Sequence, residues 1–288
     1  MKVLIAVNAY IKNQSQISQS ERIAEELKKR GATVEIKKNF ALAEISDSVA
    51  KAEKYDFCVF LDKDKVAARL LEKSGMRLFN SAAAIEVCDD KMLTNTALAN
   101  GGFNIPDCIY APLCYNAVSE INRAFLSDVA RKLGFPLVAK TNYGSLGAGV
   151  TLVNGEGKLS VYERQNLMLP HFYQKYINCG GEDIRVIVIG GRAVCAMKRR
   201  NENDFRSNIE LGGTGKNFPL TKELAVLCEE VAQVLKLDYC GVDILTDKSG
   251  KLYVCEVNSN AFFAAAERVC GVNVAGTYAE YLLGKFKK

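Results

Sequence analysis

Gly241-Val242-Asp243-Ile244-Leu245 and, after a short polar break, Leu252-Tyr253-Val254-Cys255-Glu256-Val257-Asn258 form the stretch whose reading decides the fold. β-Branched and apolar residues dominate both segments. Asp247, Ser249 and Gly250 between them supply turn chemistry, so the spacing predicts a β-hairpin. Strand side chains alternate between faces. Glu256 and Asn258 are therefore expected on one face and Tyr253, Cys255 and Val257 on the other, with Asp243 facing the first set from the partner strand. Two carboxylates inside a largely apolar hairpin repel and are desolvated unless something neutralises them, and a hard divalent cation with oxygen ligands would do so. A solvated outer face of an edge hairpin explains the same pattern. The hairpin alone does not choose between the two.

The chain has 288 residues, enough for a full core and for two or three compact units. With 49% apolar and 25% charged residues it reads as globular, which excludes disorder and a collagenous fold. A net charge of +5 without a long basic run gives no signal for nucleic acid and suits an anionic small molecule equally well. Ten cysteines lack close pairs and His171 is the single histidine, so neither a zinc site nor a disulfide framework is expected. Reduced, mostly buried thiols fit better. The apolar run after Lys2 ends at Asn8, too short for a signal peptide or a membrane span, and a cytoplasmic protein without membrane association is expected.

Outward from the hairpin, the pattern alternates. Val3 to Val7, Val34 to Ile36, Tyr55 to Leu61 and Arg77 to Phe79 read as strands, with helices over Gln19 to Lys29 and Val66 to Lys73 between them, which implies a small parallel sheet. Asn80-Ser81 and Asp89-Asp90 read as caps of helices over Ala82 to Val87 and Lys91 to Asn100. Gly101-Gly102 ends the second, and Ile105-Pro106 opens an extended segment. Ser119 to Leu133 reads as a helix and Leu137 to Thr141 as a strand. The strand runs into Asn142-Tyr143-Gly144-Ser145-Leu146-Gly147-Ala148-Gly149 before strand Val150 to Val153. Glycines between two strands let backbone N–H groups approach an anion, and Lys140 adds a fixed charge, so a phosphate cradle is one reading and a flexible hairpin loop the other. Further strands are expected at Phe172 to Ile177, Asp183 to Ile189 and Ala193 to Lys198. Lys198-Arg199-Arg200 and Asp204 to Asn208 then read as a polar loop, Thr221 as the cap of a helix to Leu235, and Asn260 to Val269 and Val274 to Phe286 as helices.

Taken together in this order, Lys140, the glycine loop, the strand end at Gln174 to Ile177 and the Asp243, Glu256, Asn258 triad resemble ATP-grasp enzymes. Within them the chain resembles the RimK-like glutamate ligases. Gly181-Glu182-Asp183-Ile184-Arg185 is similar to that family's GxDIR segment, and Asp204-Phe205-Arg206-Ser207-Asn208 with Gly212-Gly213 to its DFRSN…GG loop. Asn80-Ser81, Asp90-Lys91, Thr94 and Ile105-Pro106 look like its entry segment. The resemblance implies an α/β chain with α+β character, an ATP-grasp fold with an N-terminal parallel α/β pre-ATP-grasp domain. It places that domain at residues 1–88, the ATP-grasp N-terminal subdomain at 89–178 and the C-terminal subdomain at 179–288. It implies ATP, with Lys91 and Lys140 on its phosphates, Ser145 to Gly149 (including Gly147) as a lid, and Gln174, Lys175 and Tyr176 at adenine. Asp183 would hold the ribose side, Arg185, Arg206, Ser207 and Asn208 would lie near phosphates or substrate, and Asp243, Glu256 and Asn258 would hold Mg²⁺ or Mn²⁺. Arg199 or Arg206 would stabilise an oxyanion, and no cysteine is required.

The activity so implied is carboxylate–amine ligation through an acyl phosphate, with glutamate added to a small-molecule or peptide carboxylate. Lys198, Arg199, Arg200 and Arg206 are expected to hold the acidic amino acid. Two departures from the family pattern stand out. Ser259-Asn260-Ala261-Phe262-Phe263 follows the metal strand where many relatives have a small residue, Pro and Gly, and Lys175 stands where relatives often carry an acid. A D-alanine-ligase-like or dipeptide-forming ligase and a nucleotide-binding module without catalysis remain as alternatives. Homo-oligomerisation is left open.

Overall fold

An unbroken apolar strand needs cover on both faces, and Lys2–Val7 (β1) has it. Val3, Ile5 and Val7 pack on Ile23 and Leu27 of helix α1 (Gln14–Lys29), while Leu4 and Ala6 pack on Ala67 and Leu71 of α2 (Lys65–Lys73). With Thr33–Lys38 (β2), Phe57–Leu61 (β3) and Leu78–Phe79 (β4), β1 forms the expected parallel sheet, in the order β2-β1-β3-β4. The computed structural model describes residues 1–12, 14–42, 54–116, 120–209 and 212–286.

Ser81 and Asp90 cap α3 (Ala82–Asp89) and α4 (Lys91–Asn100) as their residue types predict, each side chain accepting from main-chain N–H groups of the first turn. A second, antiparallel sheet follows, built from Cys108–Tyr110 (β5), Leu137–Thr141 (β6), Val150–Val153 (β7) and His171–Lys175 (β8) in the order β5-β8-β6-β7. Helices α5 (Arg123–Leu133) and α6 (Glu156–Asn166) back it, burying Val129, Leu133 and Leu159 against Leu137 and Tyr173. The expected start of α5 at Ser119 lies outside the described residues. His171 is buried in this sheet, its Nε2 2.9 Å from Glu163.

The third sheet is antiparallel, in the order β11-β10-β9-β12-β13. Its strands are Glu182–Ile189 (β9), Arg192–Arg200 (β10), Thr214–Phe218 (β11), Tyr239–Thr246 (β12) and Leu252–Asn258 (β13), with α7 (Lys222–Val234) connecting β11 to β12. Ile184, Val186, Val242 and Ile244 face Cys228 and Val231 of α7. On the other face Ile187, Ile189 and Tyr239 share one core with α8 (Ala264–Cys270), α9 (Val274–Gly284) and the first sheet. Among the described residues no helix is long and apolar enough to cross a membrane.

Three sequence expectations change. Strand β10 continues to Arg200, so Lys198, Arg199 and Arg200 alternate along a strand instead of clustering in a loop. Asn260 to Phe263 precede α8, which starts at Ala264. In the hairpin, Asp243 pairs with Glu256 but Ile244 pairs with Val254, so Cys255 is an extra residue and strict alternation fails there.

Asn80, read from sequence as part of a turn and cap, ties the first sheet to the third. Its Nδ2 donates to the carbonyls of Tyr239 and Ser259 (both 2.8 Å), and its Oδ1 accepts from the N–H groups of Asp238 (2.7 Å) and Tyr239 (3.0 Å). The side chain is buried. Asn80→Ala strips these main-chain groups of partners, and we expect a loss of about 3 kcal/mol in urea unfolding, since each unsatisfied buried group costs about 1–3 kcal/mol. A loss below about 0.5 kcal/mol, the range of ordinary surface substitutions, would show that Asn80 is not a staple.

Candidate active site

The second and third sheets face each other across a cleft holding a cavity of about 100 Å³. One wall is built from the second sheet. Lys140 on β6 and Gln174 on β8 are buried, and Lys175 and Tyr176 follow at the strand end. The opposite wall carries Asp183 on β9, Arg199 on β10, Asp243 on β12 and Glu256 on β13. Lys91 enters from the first turn of α4, and Arg206, Ser207 and Asn208 from the loop after β10. Val138, Ile177 and Leu245 give the cleft an apolar end.

The loop between β6 and β7 closes over this cavity with Gly144, Ser145 and Gly147. Gly149 does not line it. It sits at the base of the loop, where its carbonyl accepts from Thr141 N at 3.0 Å, with φ +73° and Thr141 Oγ1 2.1 Å from where a Cβ would stand, so only glycine fits. Cations hold the loop down. Lys91 Nζ donates to the Gly144 carbonyl (2.9 Å), Arg206 Nη1 donates to the Gly147 carbonyl (2.8 Å), and Lys65 Nζ lies 4.1 Å from the Tyr143 ring centroid. Burial pushes the Lys91 ammonium below its ordinary pKa, though Glu256 pulls the other way. For Lys140 burial also lowers the pKa, but Cys255 and Glu256 outweigh it and the ammonium is held above its usual value.

Asp243 is neutralised from within the chain, which the sequence did not reveal. Arg185 grips it bidentately, Nε to Oδ1 and Nη2 to Oδ2 at 2.7 Å each, and Arg199 Nη2 reaches Oδ2 at 2.9 Å. Arg199 Nε also donates to Asp183 Oδ1 at 2.7 Å. Burial pushes the Asp243 carboxyl up, and the attraction of Arg185 and Arg199 more than offsets it, so the group sits below the usual carboxylate range. Burial likewise disfavours the Arg199 cation, yet Asp243 and Asp183 hold it above its ordinary value. Glu256 and Asn258, by contrast, make no side-chain hydrogen bond or ion pair among the described residues. Glu256 is opposite Asp243 in register. Among the described residues no group of three or more His, Cys, Asp or Glu is placed to hold a metal, and the set here is two acids and an amide. Glu256 and Asn258 keep open oxygen donors, which suits a hard cation completed by phosphate oxygens.

The bulge turns Cys255 into the cleft, its Sγ 3.7 Å from Lys140 Nζ, where alternation placed it on the far face. Burial pushes that thiol up to about 11. Lys198 and Arg200, expected at the substrate, are directed elsewhere. Lys198 pairs with Glu182 at 2.5 Å, Arg200 lies 3.9 Å from Glu182 and Glu202, and neither lines the cleft. Arg185 and Asn258 line a neighbouring crevice instead, together with Glu256, Ser145 and Asn208. That crevice reaches Asn8 and Asp62 at the carboxyl ends of β1 and β3, where the order of the parallel sheet reverses. Such switch points are where open α/β sheets bind ligands.

A family model described as the RimK-like ATP-grasp domain matches residues 88–282. The chain is 34% identical to N-acetylaspartylglutamate synthase A of Homo sapiens over 77% of its own length and 56% of that protein. It is 36% identical to beta-citrylglutamate synthase B of Homo sapiens, over 76% of its own length and 56% of that protein. It thus spans about half the length of these curated relatives. Among solved structures, D-alanine–D-alanine ligase from Bacillus anthracis superposes with a TM-score of 0.75 at 22% identity, covering 99% of this chain and 95% of that one. At that identity the likeness is one of fold.

Proposed function

The chain belongs to the RimK-like ATP-grasp family, and from that membership and the cleft we propose that it is an ATP-dependent carboxylate–amine ligase. The observation that carries the proposal is the juxtaposition of Lys91, Lys140 and Arg206 with Glu256, a carboxylate that no side chain among the described residues pairs. Three cations and an open acid suit a polyphosphate bound with a divalent cation. Both relatives' names are those of synthases of glutamate conjugates, so glutamate is the amino acid we propose.

In this reading adenine lies against Val138, Ile177 and Leu245, with the main chain of Gln174 to Tyr176 at its edge, and Asp183 faces the ribose. The phosphates take over the donors that Lys91 and Arg206 now give to loop carbonyls, with Lys140, Ser207 and Asn208 beside them. Glu256 and Asn258, with what the two arginines leave of Asp243, would hold Mg²⁺, which spreads the charge of the transferred phosphoryl group. ATP phosphorylates the substrate carboxylate, and the amine of glutamate attacks the acyl carbon and expels phosphate. Arg199 Nη1 makes no bond among the described residues and is the donor we assign to the tetrahedral oxyanion, with Arg206 beside it.

ADP release that requires both a carboxylic acid and glutamate tests this. Release with neither, or nucleotide binding without release under any pairing, favours a hydrolase or a non-catalytic module. The loop gives a separate check. Although its carbonyls surrender Lys91 and Arg206 to the phosphates, the loop's N–H groups gain phosphate acceptors in this reading, so amide exchange over 144–149 is expected to slow when ATP and Mg²⁺ are added. Unchanged exchange would remove its role as a lid.

A further inference from the structure

Beside the crevice that holds Glu256 and Asn258 opens a further pocket of about 220 Å³. Arg185 and Phe262 line both, so the two adjoin across these side chains. Its wall also includes Ser15, Met197, Arg199, Ile209, Ala265 and Arg268, and among the described residues no carboxylate lines it. Its charges are unequal in their pairing. Arg185 is taken up by Asp243, and Arg199 by Asp183 and Asp243. Arg268 on α8 makes no hydrogen bond or ion pair among the described residues. Its neighbour Glu267 faces away, accepting from Ala275 N at 2.9 Å and lying 3.5 Å from Arg22.

An exposed arginine on a helix is ordinarily solvated. Here it borders a pocket with no carboxylate among its described walls, whose other side carries Arg185, the partner of the Asp243 that Arg199 also grips. We propose that this pocket receives the side-chain carboxylate of the incoming acidic amino acid, with Arg268 as its charge partner and Met197 and Phe262 packing its methylenes. The proposal rests on the ligase reading and names the determinant of its amino-acid specificity. Phe262 belongs to the segment where the sequence departs from the small-Pro-Gly pattern of its family, so that departure supplies a wall of the pocket. The guanidinium offers the planar fork that matches a carboxylate.

Calorimetric titration of L-glutamate and L-glutamine into the protein, with Mg²⁺ and a non-hydrolysable ATP analogue present, tests it. Wild type should bind glutamate more tightly than glutamine. Arg268→Ala should weaken glutamate binding roughly tenfold or more, as expected for a lost charge-assisted bond, and leave glutamine unchanged. Arg268→Glu should reverse the preference between the two. In steady state the same variants should raise the KM for glutamate with the KM for ATP unmoved. Equal binding of glutamate and glutamine by wild type, or unchanged glutamate affinity in Arg268→Ala, would overturn the proposal. Wild-type ADP release with an acid and glutamate would then leave the ligase reading standing. Absence of release with every pair would sink that reading while calorimetry still judged Arg268.

Discussion

Glu256→Gln is expected to abolish turnover while leaving the fold intact. Glu256 makes no side-chain hydrogen bond or ion pair among the described residues, and the change keeps nearly constant volume, so the loss in unfolding should be confined to its weaker attraction for Lys91 and Lys140. In the proposed reading, however, its carboxylate is the open ligand of the divalent cation. Such a cation supplies several kcal/mol of transition-state stabilisation; about 4 kcal/mol corresponds to roughly a thousandfold in rate. The variant should also need more Mg²⁺ to reach its residual rate, a readout that a merely electrostatic effect on Lys91 and Lys140 would not produce. ADP release within about threefold of wild type, a change of under 1 kcal/mol, would remove Glu256 from the metal site.

The second large effect falls on stability. Arg199 is 2% exposed and grips two buried acids, so Arg199→Ala leaves Asp183 without its partner and Asp243 with Arg185 alone. Removing one member of a buried ion pair costs about 3–5 kcal/mol, and urea unfolding at neutral pH should show a loss of that size. The pH dependence has a defined sign. Asp243 is held below the usual carboxylate range, so its contribution is present above that range and is lost as pH falls through the lowered value. With Arg199 gone the lowering shrinks, and acid unfolding should begin at higher pH in the variant. A loss below about 1 kcal/mol would mean that solvent compensates the acids.

Much of this architecture is legible from local pattern. The first sheet can be read because β1 and β3 are apolar on both faces, and α3, α4 and α7 because Ser81, Asp90 and Thr221 are strong caps. The acid hairpin is legible because its alternation and turn residues agree. What was hidden depends on contacts between distant segments. A bulge adds one residue without changing the surrounding apolar pattern, so Cys255 could not be assigned to the cleft. Lys198-Arg199-Arg200 looks like a solvated loop until Asp183 on the adjacent β9 and Asp243 on β12 beyond it bury the middle residue and leave its flanking cations outside. The arginine clamp on Asp243 was missed for the same reason: the identity of Arg185 was plain, but its partner follows from the β9–β12 register. The Arg268 pocket takes walls from β9, β10, α8 and the segment before α8, and no single stretch announces it.

The central claim is that a carboxylate is activated by phosphorylation before the amine attacks. It is tested most directly with an acid that supports ADP release, its carboxylate labelled with heavy oxygen, incubated with ATP, Mg²⁺ and glutamate. Acyl-phosphate chemistry transfers one labelled oxygen from the carboxylate to the released phosphate, and mass spectrometry should find it there in step with amide formation. Amide formed with the label absent from phosphate, or phosphate released at the same rate without the acid, would contradict the account.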